Sequence, residues 1–165
     1  MSELNGRLLD LARRYAQSAE AVLGDQLVSV VLFGSVARQQ CTPTSDIDLI
    51  VVLREAPRAA GPRRAILEPV RASLQPLLDD FWREGVFTDF TELIFAVGEA
   101  RKTHRLFLEV IEDGVILYDS GGFFAGVLER LGAALRQMGA QRKTVGNLRY
   151  WDLKPDFKPG DVVEI

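Results

Sequence analysis

The first apolar stripe is helical. Leu4, Leu8, Leu11, Tyr15, Ala19 and Val22 recur at steps of three and four, and Gly24 follows them. That spacing predicts an amphipathic helix over residues 2–23 with a glycine stop. The pattern then becomes continuous: residues 27–33 form an apolar, valine-rich run closed by Gly34 and Ser35. A run apolar on both faces suits a buried strand feeding a tight turn. After the polar stretch 38–45, residues 47–53 predict a second strand of the same kind.

Farther along, Gly61 and Pro62 open a helical region with Ile66, Val70, Leu74, Leu77 and Phe81 on one face. Pro69 and Pro76 each remove a backbone donor, so this helix is expected to be kinked or split in two. Residues 86–97 read as a third strand. Residues 99–112 have helical spacing through Thr103, Phe107 and Val110, and residues 115–118 suit an edge strand. Asp119 or Ser120 can cap a last helix running to about Met138, with the stripe Phe124, Val127, Leu131, Leu135 and Met138. The tail mixes Tyr150, Trp151 and Phe157 with Pro155, Pro159 and Gly160, which favours an extended arm. The expected organisation is a domain over 1–148 and an arm over 149–165. Tyr150 and Trp151 should pack back on the domain, with Arg149 or Lys154 near the mouth of the site.

At 165 residues and 47% hydrophobic, the chain is long enough to bury one sizeable core. A single cysteine, Cys41, leaves no internal disulfide, and no apolar run approaches membrane-spanning length. A cytoplasmic protein without membrane contact is expected. The net charge of -3 argues against a partner as extended as long DNA or RNA, whose phosphates demand a broad basic surface. A small polyanion such as a nucleoside triphosphate is compatible, because bound metal ions and a few local donors can meet its charge.

One segment concentrates the chemistry: Gly34-Ser35-Val36-Ala37-Arg38, then Ser45-Asp46-Ile47-Asp48 leading into the second strand. Residues two apart on a strand share a face, about 6.6 Å apart, so Asp46 and Asp48 can point at one cation. Like charges that close need a positive partner. Hard carboxylate oxygens suit magnesium, which takes its remaining ligands from water and substrate phosphates. Gly34 lets backbone approach those phosphates. The hydroxyls of Ser35 and Ser45 and nearby amides can donate to them, and Arg38 adds a charged donor if it turns inward. A Gly-Ser pair alone is usually a turn, and Asp-x-Asp alone is usually a solvated strand end. Ten residues between Ser35 and Asp46, with an apolar strand on each side, make the combination far more specific.

These residues resemble the nucleotidyltransferase superfamily that includes DNA polymerase β, aminoglycoside nucleotidyltransferases and the minimal nucleotidyltransferases of prokaryotes. The match is to the Gly-Ser, ten residues, Asp-x-Asp signature over about residues 28–53, and the Tyr150-Trp151-Asp152-Leu153-Lys154-Pro155 tail is also similar. The resemblance implies an α/β fold with a short mixed sheet flanked by helices. It also implies a third carboxylate on a later strand that completes a two-metal site for attack on the α-phosphate. Asp89 and Glu92 are the candidates, on opposite faces by strand alternation, and Asp89 is preferred. If neither reaches the metals, the chain would bind nucleotide without transferring it. Some small relatives act as antitoxins that nucleotidylate a partner toxin with a HEPN domain, which makes a protein hydroxyl a natural acceptor and a small molecule the next. His104, on a basic stretch, is expected to be a solvated helix residue, Cys41 has no partner for a catalytic or zinc role, and Phe123 and Phe124 are expected in the core.

Overall fold

The two continuous apolar runs form the middle of a four-stranded sheet in the structure, a computed structural model. Residues 2–102, 104–146, 148–153 and 155 are described, without the side chains of Leu148 and Arg149. Strand β1 (Leu27–Phe33) pairs antiparallel with β2 (Ile47–Leu53), and β2 pairs parallel with β3 (Phe90–Ala96). Strand β4 (Val115–Asp119) closes the other side of β1, giving the order β3-β2-β1-β4. Because β1 and β2 are central and covered on both faces, they are apolar nearly throughout.

Helices α1 (Glu3–Leu23) and α3 (Ala60–Arg83) cover one face. Tyr15, Leu8 and Leu67 bury there against Leu32, Leu49 and Val51. Helices α5 (Phe107–Asp113) and α6 (Phe123–Gln137) cover the other, where Phe107, Phe124 and Leu131 meet Val31, Ile50 and Val52. Each such side chain taken out of water contributes about 1.5–3 kcal/mol. Ser2 caps α1 by accepting from the Asn5 amide at 3.2 Å. Asp119 caps α6 from a distance: its carboxylate accepts from the amides of Phe124 and Ala125 at 2.9 and 3.0 Å and from the Ser29 hydroxyl at 2.6 Å.

Three expectations change. Helix α3 is not split in two: it runs through Pro69 and Pro76 as one element. Both prolines are exposed, as are Ala65 and Ala72, whose carbonyls lose their helical partners, so water can satisfy them while the opposite face stays packed. The helix expected over 99–112 is instead two short ones, α4 (Val97–Ala100) and α5. The His104 ring bonds the Glu99 carbonyl at 3.0 Å and packs on Phe95 and Phe107, with centroids at 4.8 and 5.1 Å. This half-buried histidine turns the chain where a helix would have continued, and it is not a solvated helix residue.

The third change concerns the tail. The chain forms a hairpin, β5 (Gln141–Val145) and β6 (Leu148–Asp152), that begins before the expected arm. Trp151 packs against the α5–α6 core and its indole N–H donates to the Leu108 carbonyl at 3.0 Å, while Tyr150 stays 42% exposed. Arg142 lies over the Trp151 ring and pairs with Glu112 at 2.9 Å. The Arg149 side chain, Lys154 and Phe157 lie outside the described residues.

Candidate active site

The β1–β2 register builds the site. Phe33 pairs with Asp48, so Gly34, the next residue, falls beside the Asp48 carboxylate at the sheet's end. Gly34 has φ of +74° and starts the single-turn helix α2 (Gly34–Ala37). A Cβ there would stand 2.9 Å from Cγ of Asp48 and closer still to its Oδ2, so both the dihedral and the space demand glycine. The first turn of a helix leaves amides unpaired within it, and Ser35 and Val36 supply two of them.

Asp48 shares the α5–α6 face with Ile50 and Val52. It is half-buried, and desolvation followed by the charge of Asp46 pushes its carboxyl above the usual range. Arg38 is close enough that its charge partly opposes this. Asp46 is exposed and precedes β2 by one residue. Ser45 is spent differently: its hydroxyl accepts from the Thr42 amide at 2.9 Å and shapes a turn before Asp46.

The parallel register separates the two candidate third acids. Thr91 pairs with Asp48, whereas Glu92 pairs with Leu49. Glu92 therefore turns to the opposite face, where the buried Tyr15 donates to it at 3.2 Å and Arg71 at 2.9 Å. Burial pushes the Tyr15 hydroxyl far above its usual range and raises Glu92, against which Arg71 acts. Asp89 stands one residue before the pairing begins, as Asp46 does, and its carbonyl accepts from the Ile47 amide at 2.8 Å. Both of its carboxylate oxygens, however, accept from Arg71 at 2.8 and 3.0 Å. Among the described residues no three His, Cys, Asp or Glu side chains converge as a metal site. The structure thus brings together Gly34, Asp46, Asp48 and Arg38, with Asp89 at the same end of the neighbouring strand and its carboxylate bonded to Arg71.

Arg71 has no motif to announce it. Its only signal is Arg63, eight residues earlier on α3. Arg63 donates to the Ile94 carbonyl at 2.7 Å and Arg71 to the Phe90 carbonyl at 2.8 Å. Eight helical residues rise about 12 Å, close to the roughly 13 Å that four strand residues span. The two arginines therefore cap the open edge of β3 at matching intervals, and Arg63 also pairs with Glu99 at 2.6 Å.

A four-stranded mixed sheet between helices, with a glycine turn set against paired aspartates, defines an α/β protein of the nucleotidyltransferase fold class. The family model described as the nucleotidyltransferase domain matches residues 16–112, and the chain belongs to that family of enzymes. A Methanocaldococcus jannaschii protein, "Putative protein adenylyltransferase MJ1305", is 23% identical over 133 residues, covering 79% of this chain and 85% of its own. A crystal structure of a mutant toxin-antitoxin MntA-HpeT superposes at a TM-score of 0.46 with 14% identity, covering 78% of this chain and 92% of that one. The MNT antitoxin complexed with tri-AMPylated Shewanella oneidensis HEPN toxin gives 0.43 and 14%, over 80% and 92% of the two chains. No helix among the described residues is long and apolar enough to cross a membrane.

Proposed function

We propose that this enzyme transfers a nucleoside monophosphate from a triphosphate to a protein hydroxyl, releasing pyrophosphate, and that it serves as the antitoxin of a HEPN-domain partner. Gly34, pressed against Asp48 beside Asp46, carries the reading, because the absence of a side chain there lets the backbone amides of α2 lie beside two hard oxygen ligands. The raised carboxyl of Asp48 fits a cation site, since a cation would offset the cost of burying its charge and relieve the repulsion from Asp46. Magnesium held by Asp46 and Asp48 would neutralise the triphosphate and its leaving pyrophosphate. Ser35, the α2 amides and Arg38 would hold phosphate oxygens, with Ser45 shaping the turn that presents Asp46. Asp89 would accept the proton of the acceptor hydroxyl as that oxygen bonds the α-phosphorus. The adenylyltransferase name of the Methanocaldococcus jannaschii relative supports adenylate as the group and a protein as the acceptor.

One observation favours a second reading, a nucleotide-binding module that acts on its partner by contact alone: Arg71 occupies both oxygens of Asp89. Incubating the protein with labelled ATP, magnesium and a co-expressed HEPN partner separates the two. Covalent label on the partner supports the enzyme. Tight triphosphate binding with no label supports the module.

A further inference from the structure

We propose that the basic cleft beside β3 is the docking site for an acidic segment of the acceptor protein, next to the hydroxyl that is modified. The inference rests on the reading that the acceptor is a protein.

The cleft has a volume of about 600 Å³, with Leu93 and Phe95 on its floor and Arg58, Arg64 and Lys102 at its rim. Those three cations are exposed, and none pairs with an acid among the described residues. The acids of the cleft are already neutralised, Glu92 by Arg71 and Glu99 by Arg63. A chain of net charge -3 therefore presents uncompensated positive charge at this place. Leu93 is 39% exposed at the floor, an apolar anchor point.

Position links the cleft to the chemistry. Leu93 lies two residues beyond Thr91, the register partner of Asp48, and shares its face. That separation is about 6.6 Å along the strand, so an acceptor hydroxyl near Asp48 and Asp89 has its neighbours two or three residues away over the cleft. The mode of recognition is also limited. Arg71 and Arg63 cap the outward carbonyls of Phe90 and Ile94, and the Ala96 amide donates to Glu99 at 2.9 Å. With two outward carbonyls and the Ala96 amide already bonded, the edge of β3 is interrupted as a template for an added strand, and side chains carry the recognition: carboxylates for the rim cations and an apolar group for Leu93.

A fluorescent random copolymer of glutamate and tyrosine, which carries both carboxylates and acceptor hydroxyls, tests this by anisotropy with the 165-residue protein. The variant Arg58→Glu/Arg64→Glu/Lys102→Glu should bind it at least about tenfold more weakly, as loss of three rim contacts implies. ATP affinity and melting temperature should stay at parental values. The control Arg13→Glu/Arg14→Glu/Arg136→Glu makes the same charge change on exposed residues elsewhere and should alter copolymer binding by less than about threefold. Equal weakening by both triples, no weakening by the cleft triple, a parallel loss of ATP affinity, or tighter binding of polyuridylate than of the copolymer would each overturn the proposal. Absence of label transfer to any acceptor would sink the transferase reading separately, since the binding comparison requires no turnover.

Discussion

The Cα of Gly34 sits against the carboxylate of Asp48, with no room for a side chain between them. Two strands meeting head to tail create this contact, because Phe33 and Asp48 are paired and Gly34 is the first residue past the pair. Substituting Gly34 by valine should therefore do two separable things. The positive φ costs about 1–2 kcal/mol for a residue with a Cβ, visible as lower resistance to urea. The displaced Asp48 carboxylate should weaken triphosphate binding by about tenfold or more in calorimetric titration. Ser35→Ala should lose only about 1 kcal/mol of binding, the contribution of one hydrogen bond. A valine variant with parental affinity would show that the phosphates lie elsewhere.

Asp48 should make the nucleotide-free protein less stable as it ionises. Its folded pKa is raised above the ordinary 3.8, so the folded state favours the protonated form. That advantage is complete below pH 3.8 and disappears as pH rises through the raised value. Asp48→Asn should accordingly melt higher than the parent at pH 7, with the gap closing below pH 3.8. Magnesium with ATP should raise the parent's melting temperature and leave the variant's unchanged.

Arg71 ties Asp89 to the Glu92–Tyr15 pair, and removing it should act at both ends. Arg71→Met strands a largely buried Glu92, an expected loss of about 1–3 kcal/mol in urea denaturation that Glu92→Gln in the same chain should largely restore. Asp89→Asn should lower turnover far more than ATP affinity, while Glu92→Gln alone should change turnover little. A turnover defect confined to the glutamate variant would move the catalytic base to Glu92 and contradict its face in the sheet.

The Arg63–Glu99 pair should matter in neutral solution and fade in acid. The Arg63 guanidinium and the Ala96 amide hold Glu99 down to about 2 from its ordinary 4.5. The stabilisation is present above pH 4.5 and is lost as pH falls towards 2. Glu99→Gln should melt about 2 °C lower at pH 7, the small effect of a partly exposed pair, and should converge on the parent near pH 2.

The hairpin should be held chiefly by Trp151. Trp151→Phe keeps most of the apolar surface but drops the bond to the Leu108 carbonyl, for about 1 kcal/mol. Trp151→Ala also loses the packing on α5 and should cost about 2–4 kcal/mol. Truncation after Gly139 should lower the melting temperature at least as far as the alanine variant, and unchanged melting would mean that the hairpin contributes nothing to the fold.

Local pattern alone determined β1, β2, the α1 stripe and the Gly34, Ser35, Asp46, Asp48 spacing, because each depends on the period of the chain or on a residue next in sequence. The opposite faces of Asp89 and Glu92 follow from strand alternation in the same way. Tertiary structure decided the rest through partners far along the chain. The packed face of α3 outweighs two prolines whose orphaned carbonyls meet water. His104 bonds the Glu99 carbonyl and packs at an angle on Phe95 and Phe107 where the chain turns between α4 and α5. Trp151 docks the hairpin of β5 and β6 on the α5–α6 core through the Leu108 carbonyl. Above all, Arg71 reaches Asp89 only because α3 lies antiparallel along the edge of β3, where two arginines eight residues apart meet carbonyls four residues apart. No periodicity in one segment records a match between the rise of a helix and the rise of a strand, and that match sets Arg71 between Asp89 and Glu92.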